Sequence, residues 1–227
     1  MQTVVFAFDH KTPARFCQCQ GRKIDLLIDT ACGSGQLTKP ISKFCNKVIA
    51  LDASESQIEE AKSLLGEEMK HVEYSVGNCE QLPAEDESVD VITVAEAIHY
   101  FADIKRFYQE VDRCLKPTGV LGVMAYNFCE FHGHDSVVDE KLNNCWLSYF
   151  RGEKYLEPCW HKGIFTLFDA YKELPLYRRK HVRYYDFLEV EYPLEQYASI
   201  LRSLSAYITY YERYPNNPDM ANSMVDE

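Results

Sequence analysis

An apolar stretch that runs directly into a small-residue turn is the feature that most constrains the fold of this chain. Leu26, Leu27 and Ile28 form a continuous apolar run, which is typical of a strand buried on both faces of a parallel sheet. Gly33 and Gly35 follow closely and allow the backbone to turn sharply and to approach a ligand, because neither carries a Cβ. A helix is expected next, with its unpaired N–H groups towards whatever ligand lies over the turn.

The spacing of the glycines discriminates between nucleoside cofactors. The dinucleotide fingerprint Gly-x-Gly-x-x-Gly requires a third glycine or alanine where this chain has Thr38. Asp29, at the end of the strand, also argues against a dinucleotide, because a carboxylate is poorly placed beside a pyrophosphate but suits an ammonium or a sulfonium. An NAD-dependent oxidoreductase is therefore disfavoured, and a merely tight strand-to-helix turn is the structural alternative.

Composition limits the class of protein and its partners. The 227 residues are 46% hydrophobic and 13% aromatic, with a formal net charge of −11, which suits one α/β domain with an elaboration. The acidic balance argues against nucleic acid or an anionic membrane as a partner, since phosphate binding needs a basic surface. No apolar run approaches the ~20 residues of a membrane span, and no secretory signal is evident, so a cytoplasmic protein is expected.

The cysteines predict reduced thiols and no metal. Nine cysteines are scattered through the chain, and an odd, scattered set is poor material for a disulfide framework. Cys17-Gln-Cys19 is followed by no second Cys or His pair at zinc spacing.

Helical and strand-like segments alternate after the opening turn, which predicts parallel βαβ units with a ligand at the carboxyl ends of the strands. The predicted helices span 37–46, 54–65 and 104–115, and the further strands span 48–51, 72–76, 89–94 and 120–125. Asp52 ends the second strand, 23 residues after Asp29, where it can accept hydrogen bonds from both ribose hydroxyls of a nucleoside. Its alternative role, capping the next helix, is weakened because Ser54 and Glu55 can fill it. Asn78 offers a side-chain carbonyl to an adenine amino group.

Five motifs then stand in order along the chain: Asp29–Gly35, Asp52–Ser54, Gly77–Pro83, Ala95–Phe101 and Leu115–Gly119. Together they resemble the class I S-adenosylmethionine-dependent methyltransferases, of the type 11 domain group. The Ala-x-x-x-His-aromatic-Phe stretch and the segment Leu201–Tyr207 are similar to the trans-aconitate methyltransferase branch.

The resemblance implies an α/β, Rossmann-like parallel sheet of about five core strands in the order 3-2-1-4-5, with helices on both faces and a helical, aromatic-rich lid. It divides the chain into an N-terminal extension, a cofactor-binding core, a lid or acceptor region, and a C-terminal helix with a polar tail. The corresponding ranges are 1–23, 24–127, 128–192 and 193–227.

The family pattern also implies a set of cofactor-binding residues. The amino acid and ribose of S-adenosyl-L-methionine are expected near the turn after the first strand, the ribose hydroxyls at the end of the second, the adenine around the third, and the methionine portion beside the fourth. In that order the residues are Asp29, Thr30, Ala31, Gly33, Gly35, Asp52, Ala53, Gln57, Asn78, Cys79 and Ala95. Ala31 replaces the usual first glycine, and Asn78 the commoner aspartate.

His99 and Tyr100 follow the fourth strand, where the transferable methyl group would point, and they are the predicted catalytic residues. His99 can donate a hydrogen bond to an acceptor oxygen, act as a base towards a hydroxyl, or simply cap the strand. A carboxylate acceptor needs no general base, so O-methylation of a small carboxylate-bearing molecule, with S-adenosyl-L-homocysteine as product, is the expected reaction.

The region 127–192 is rich in aromatic side chains. Aromatic residues at helical spacing belong more often to a core than to a pocket. The basic run Arg178–Arg183 either attracts a carboxylate-bearing acceptor or is a solvated loop paired with Glu189 and Glu191.

The C-terminus is expected to be too short for the two further strands of the family, the last of which is antiparallel. We therefore expect an unpaired edge on the fifth strand, which invites a homodimer. A truncated, non-catalytic relative that serves as a cofactor-binding or interaction module is the alternative function.

Overall fold

The computed structural model describes residues 3–7, 23–125, 130–132, 135–168, 171–172, 174, 180–184 and 194–226. Seven strands of this part of the chain form one sheet, in the order β4-β3-β2-β5-β6-β1-β7. The strands are β1 (Thr3–Ala7), β2 (Ile24–Thr30), β3 (Cys45–Asp52), β4 (Val72–Val76), β5 (Val89–Ala95), β6 (Leu115–Met124) and β7 (Lys180–Tyr184). All six neighbouring pairs are parallel.

The helices of the described residues are mostly short. They are α1 (Thr38–Ser42), α2 (Glu55–Ser63), α3 (Ile104–Cys114), α4 (Ser136–Arg151), α5 (Ile164–Phe168), α6 (Leu194–Ser203), α7 (Ser205–Arg213) and α8 (Met220–Asp226). Single 3₁₀ turns lie at Glu67–Met69, Ile98–Tyr100 and Glu157–Cys159. The first predicted helix is shorter than expected, because the Phe44 N–H bonds to the Ile41 carbonyl and β3 then begins at Cys45.

The Rossmann-like order is confirmed, because β2 to β6 stand as 3-2-1-4-5 when they are counted from β2. The central strand β2 pairs with β3 on one side and β5 on the other. Leu27 and Ile28 are fully buried, as a strand covered on both faces requires. The order reverses between β2 and β5, which is where ligands bind in open α/β sheets.

The expected unpaired edge on the fifth core strand is wrong. β6 pairs with β1, from Thr3 opposite Val120 to Ala7 opposite Met124, and β1 in turn pairs with β7. The N–H and C=O groups along the edge of β6 are thus bonded within the chain. Both added pairs are parallel, and the described residues contain no antiparallel pair. The reason given for a homodimer at that edge no longer holds.

The chain divides into two compact units. One consists of residues 1–127 and 169–188 and contains the sheet, and the other consists of 128–168 and 189–227. The second unit is helical, and its core is built from the aromatic side chains of α4, including Trp146, Tyr149 and Phe150, with residues of α6 to α8. These aromatic residues are core residues, as their helical spacing favoured.

The predictions about the Cys17-Gln-Cys19 motif, the basic run, metal binding and membrane spans concern both described and undescribed residues. Cys17, Cys19, Arg178 and Arg179 lie outside the described residues, while Lys180–Tyr184 forms β7. No three His, Cys, Asp or Glu side chains of the described residues meet in a group that could hold a metal ion. No helix in the same residues has the length and apolar character needed to cross a membrane.

Candidate cofactor site

The turn after β2 adopts backbone conformations that suit glycine. Ala31, Gly33 and Gly35 have φ angles of +52°, +55° and +86°, in the left-handed region that costs an L side chain about 1–2 kcal/mol. A Cβ at Gly35 would collide with the hydroxyl of Tyr74 and lie 3.2 Å from its Cζ, whereas at Gly33 it would meet only the Gln57 Oε1, at 3.4 Å. Gly35 is therefore required by the packing beneath the turn, whereas at Gly33 the backbone conformation alone favours glycine.

Asp29 lies beneath this turn and is fully buried. One carboxylate oxygen accepts from the Thr38 hydroxyl and the other from the Thr93 hydroxyl, both at 2.6 Å. The carboxylate thus ties the start of α1 to strand β5. Sequence reasoning placed Asp29 against the cofactor, whereas the structure encloses it, so that its charge reaches a ligand only through the turn.

Burial raises the pKa of Asp29 to about 6, despite the two threonine hydroxyls that favour the charged form; the charge of Asp52 raises it further. The folded protein therefore binds this proton more tightly than the unfolded chain does between about pH 4 and pH 6. Its free energy of unfolding consequently falls as the pH rises through that window.

Asp29→Asn should remove this loss of stability. The pKa of Asp29 rises from its ordinary value of 3.8 to about 6. This difference in pKa corresponds to on the order of 3 kcal/mol in the free energy of unfolding. We expect the free energy of unfolding of the variant, relative to wild type, to rise by up to that amount between pH 4 and pH 7.5, measured by urea denaturation. Asp25→Asn, which removes an exposed carboxylate from the same strand, is the control, and equal pH slopes for wild type and Asp29→Asn would contradict the prediction.

Asp52 ends β3 and joins three segments of the site. Its Oδ2 accepts from the Gly33 N–H and its Oδ1 from the Ser54 N–H, both at 2.8 Å. The Ser54 hydroxyl itself caps α2 by accepting from the Gln57 N–H. A carboxylate has about four acceptor positions, so the half-buried Asp52 can still accept from ribose hydroxyls. Ala53 and Gln57 are exposed beside it.

The loop after β4 carries the predicted adenine residues. The Gly77 N–H bonds to the Asp52 carbonyl at 2.9 Å, which attaches this loop to the end of β3. The Asn78 Oδ1 accepts from the Glu80 N–H at 2.9 Å, so the carbonyl expected to meet adenine also shapes its own loop. Burial, followed by the charge of Glu80, raises the pKa of the Cys79 thiol to about 11, which keeps it protonated.

An ion pair between the buried Glu110 and the partly exposed Arg113 holds the rest of this loop, and sequence reasoning missed it. Glu110 of α3 is only 4% exposed and accepts from the Leu82 N–H at 2.9 Å and from the Arg113 Nη2 at 2.8 Å. Arg113 in turn donates to the carbonyls of Leu82 and Ala84. The pair therefore holds residues 82–84 against α3.

The residues predicted for the methionine portion and for catalysis follow β5. Ala95 is half-buried and precedes Glu96, which has a φ of +54°. His99 is buried, and its Nδ1 lies 2.7 Å from the hydroxyl of Tyr171. Tyr100 is 41% exposed, and its ring lies 4.1 Å from that of His99 between centroids. Tyr171 was not among the predicted residues, because nothing in the sequence connects it to His99.

Thr30 does not present its side chain to this edge, because its hydroxyl is buried and donates to the Thr93 carbonyl at 2.8 Å. The backbones of Thr30, Asp52 and Ala95 nevertheless lie at the ends of neighbouring parallel strands. Thr30 is opposite Leu51 and Val94, Asp52 is opposite Val76, and Ala95 is opposite Met124.

This edge of the sheet therefore combines a glycine turn, the side-chain oxygens of Asp52 and Asn78, and the carboxylates of Asp29 and Asp52. The residues fit S-adenosylmethionine, whose ammonium and sulfonium groups are cationic.

The similarity of this chain to known proteins lies mainly in its first half. A family model described as a methyltransferase domain matches residues 28–123. A candidate methyltransferase of Dictyostelium discoideum is 38% identical over 52% of this chain and 44% of its own length. A demethylmenaquinone methyltransferase of Lactococcus lactis is 38% identical over 41% of this chain and 38% of its own length. The chain thus spans less than half the length of these curated relatives.

A solved structure shows the same fold over most of the chain. It is that of a candidate type II methyltransferase from Anaeromyxobacter dehalogenans, with 23% identity, a TM-score of 0.67, and coverage of 93% of this chain and 84% of the other. The narrower similarity to the trans-aconitate branch stays a prediction. The matched segment carries the glycine turn, Asp52, Asn78 and Ala95 in the strand order described above, so over these residues the chain is similar to the class I S-adenosylmethionine-dependent methyltransferases that its motifs resemble.

Proposed function

We propose that this chain binds S-adenosylmethionine across the carboxyl ends of β2, β3 and β5 and transfers its methyl group to an oxygen atom of a small molecule. The favoured acceptor carries a carboxylate. The observation that carries the proposal is Asp52, which lies at the point where the glycine turn, the end of β3 and the start of α2 meet.

The binding half of the proposal assigns a role to each part of this edge. Gly33 lets the backbone approach the ribose and the amino acid, Asp52 accepts from the ribose hydroxyls, and the loop at Asn78 borders the adenine. Asp29 and Asp52 supply the negative potential that favours a sulfonium over a pyrophosphate. The described residues supply every side chain that these roles require.

The chemical half of the proposal needs little from the protein beyond orientation and exclusion of water. The bound cofactor supplies a methyl carbon already activated by the positive sulfur. His99 and Tyr100 lie just past β5, beside Ala95 and hence beside the predicted methionine portion. We assign to His99 the contact with an acceptor oxygen, and the ring of the exposed Tyr100 packs against the His99 ring.

A screen of acceptors tests the proposal. The purified chain is incubated with S-adenosylmethionine and with sets of small carboxylic acids, phenols and amines, and release of S-adenosylhomocysteine is measured. We expect turnover with at least one carboxylic acid and a methyl ester that base hydrolyses. Turnover with amines alone would overturn the choice of acceptor. Binding without turnover on any set would favour the non-catalytic, cofactor-binding alternative.

A further inference from the structure

The contact between His99 and Tyr171 has a chemical consequence for the proposed reaction. Both residues belong to the unit that contains the sheet, and the His99 Nδ1 and the Tyr171 hydroxyl are 2.7 Å apart. His99 is 8% exposed and Tyr171 is 1% exposed, so water competes little for this hydrogen bond.

The direction of the hydrogen bond follows from the chemistry of the two groups. An imidazole nitrogen is a much better acceptor than a phenol oxygen, and a phenol is a much stronger acid than a neutral imidazole N–H. Burial raises the pKa of the Tyr171 phenol above its ordinary value, so the hydroxyl keeps its proton and remains a donor. The favoured arrangement for neutral His99 has the Tyr171 O–H donating to Nδ1, which leaves the ring proton on Nε2.

Two further features hold this arrangement in place. Tyr171 has a φ of +54°, a conformation that costs a tyrosine energy and that the surrounding structure must enforce. The Tyr100 ring packs against the His99 ring, with an angle of 52° between their planes. The Tyr171 backbone thus holds the phenol in its place, and the Tyr100 contact restricts the rotation of the imidazole.

We propose that Tyr171 is a positioning residue that holds His99 in the Nε2–H tautomer, so that His99 donates a hydrogen bond to the methyl acceptor and does not remove a proton from it. The proposal rests on the proposed function and deepens it, because it selects between the two chemical roles that the sequence left open for His99.

The consequence concerns the acceptor class. An Nε2–H imidazole cannot accept a proton from a hydroxyl at that nitrogen, so the acceptor oxygen must arrive already deprotonated. A carboxylate meets this requirement: its lone pair forms the new bond to the methyl carbon, the C–S bonding pair remains on sulfur, and no proton is released. Neutral alcohols would need a base that His99 in this tautomer does not provide.

The tautomer can be measured without any turnover. In protein labelled with ¹⁵N-histidine, the ring nitrogens distinguish N–H from bare nitrogen, and His99→Gln identifies the His99 signals among the seven histidines. At about pH 8.5, where imidazoles are neutral, we expect the wild type to show a proton on Nε2 and a bare Nδ1. Tyr171→Phe should shift His99 to a mixture of tautomers.

Tyr210→Phe is the matched control, because Tyr210 is also a buried tyrosine, and its hydroxyl accepts a hydrogen bond from the Asn217 side-chain amide. Both residues belong to the other unit. It should leave the His99 signals unchanged. A proton on Nδ1 in the wild type would overturn the proposal. So would the same spectrum in wild type and Tyr171→Phe.

Kinetics provide the second readout. With a carboxylate acceptor found in the screen, Tyr171→Phe should lower kcat by about tenfold or more while the Kd for S-adenosylmethionine, from calorimetry, changes less than twofold. An unchanged kcat would overturn the positioning role. If the wild type turns over no acceptor, the proposed function fails, and the tautomer measurement still decides the assignment of Tyr171.

Discussion

Arg113→Met is expected to destabilise the folded protein by about 3 kcal/mol. Arg113 bonds to Glu110 through its Nε and Nη2, at 3.1 and 2.8 Å. Its removal would leave the buried Glu110 carboxylate with too few partners, and an uncompensated buried charge typically costs about 3–5 kcal/mol. Arg106 lies 3.5 Å from the same carboxylate and offsets a part of this loss, so the lower end of the range is expected.

Arg106→Met provides the matched control, because it removes the same charge from the same helix. The Arg106 side chain is 51% exposed and its contact with Glu110 is longer, so we expect a loss of less than about 1 kcal/mol. Urea denaturation at pH 7 measures both variants. Equal losses for the two variants would show that the Glu110–Arg113 pair does not hold the loop.

The pair also predicts a pH dependence. The hydrogen bond and charge of Arg113 lower the pKa of Glu110 below its ordinary value of 4.5. The stabilisation from this lowering is present above the ordinary value and is lost as the pH falls through the lowered folded value. Arg113→Met should therefore lose stability less steeply than wild type on acidification. Parallel acid limbs of the two stability curves would exclude this contribution.

Gly35→Ala is the second substitution with a large expected effect. At its φ of +86° an alanine is strained, and the new Cβ would overlap the Tyr74 hydroxyl. Tyr74 is buried in the core beside Cys32, so its ring has little room to retreat. We expect a loss of about 2–4 kcal/mol in the free energy of unfolding, from the backbone strain and the overpacking together.

Two comparisons separate the causes of that loss. Gly33→Ala carries a similar backbone strain, with a φ of +55°, but its Cβ meets only the Gln57 Oε1 at 3.4 Å, so it should lose about 1–2 kcal/mol. Tyr74→Phe removes the colliding oxygen and should recover part of the stability of Gly35→Ala. If Gly33→Ala and Gly35→Ala are equally destabilised, the packing beneath the turn is not what requires Gly35.

The central part of the fold could be predicted because its signals are local. The apolar run of β2, the glycine turn and the acidic end of β3 each lie within a few consecutive residues, and parallel βαβ units have few topologies. Strands β1 and β7 were not predictable in this way. β1 pairs with β6 and β7 across more than a hundred residues of sequence, and no local pattern reports such a partner.

The site shows the same limit at the level of side chains. Sequence reasoning predicted that the Asp29 carboxylate lies beside the cofactor, but it did not predict that Thr38 and Thr93 enclose this carboxylate. The helix 104–115 was predicted without a role for Glu110, whereas the structure buries this residue and bonds it to the Leu82 N–H. Residue type and spacing indicate which chemistry is present at a strand end. Contacts between distant segments decide which groups reach the ligand.

Calorimetric titration of the chain with S-adenosylmethionine and with NAD tests the cofactor assignment most directly, with Asp52→Ala as the diagnostic variant. We expect S-adenosylmethionine to bind and NAD not to bind. Asp52→Ala should weaken binding by about 1–3 kcal/mol through the lost ribose hydrogen bonds, whereas Asp25→Ala, at the amino end of β2, should leave it unchanged. No binding of S-adenosylmethionine to folded wild-type protein, as judged by circular dichroism, would contradict the account.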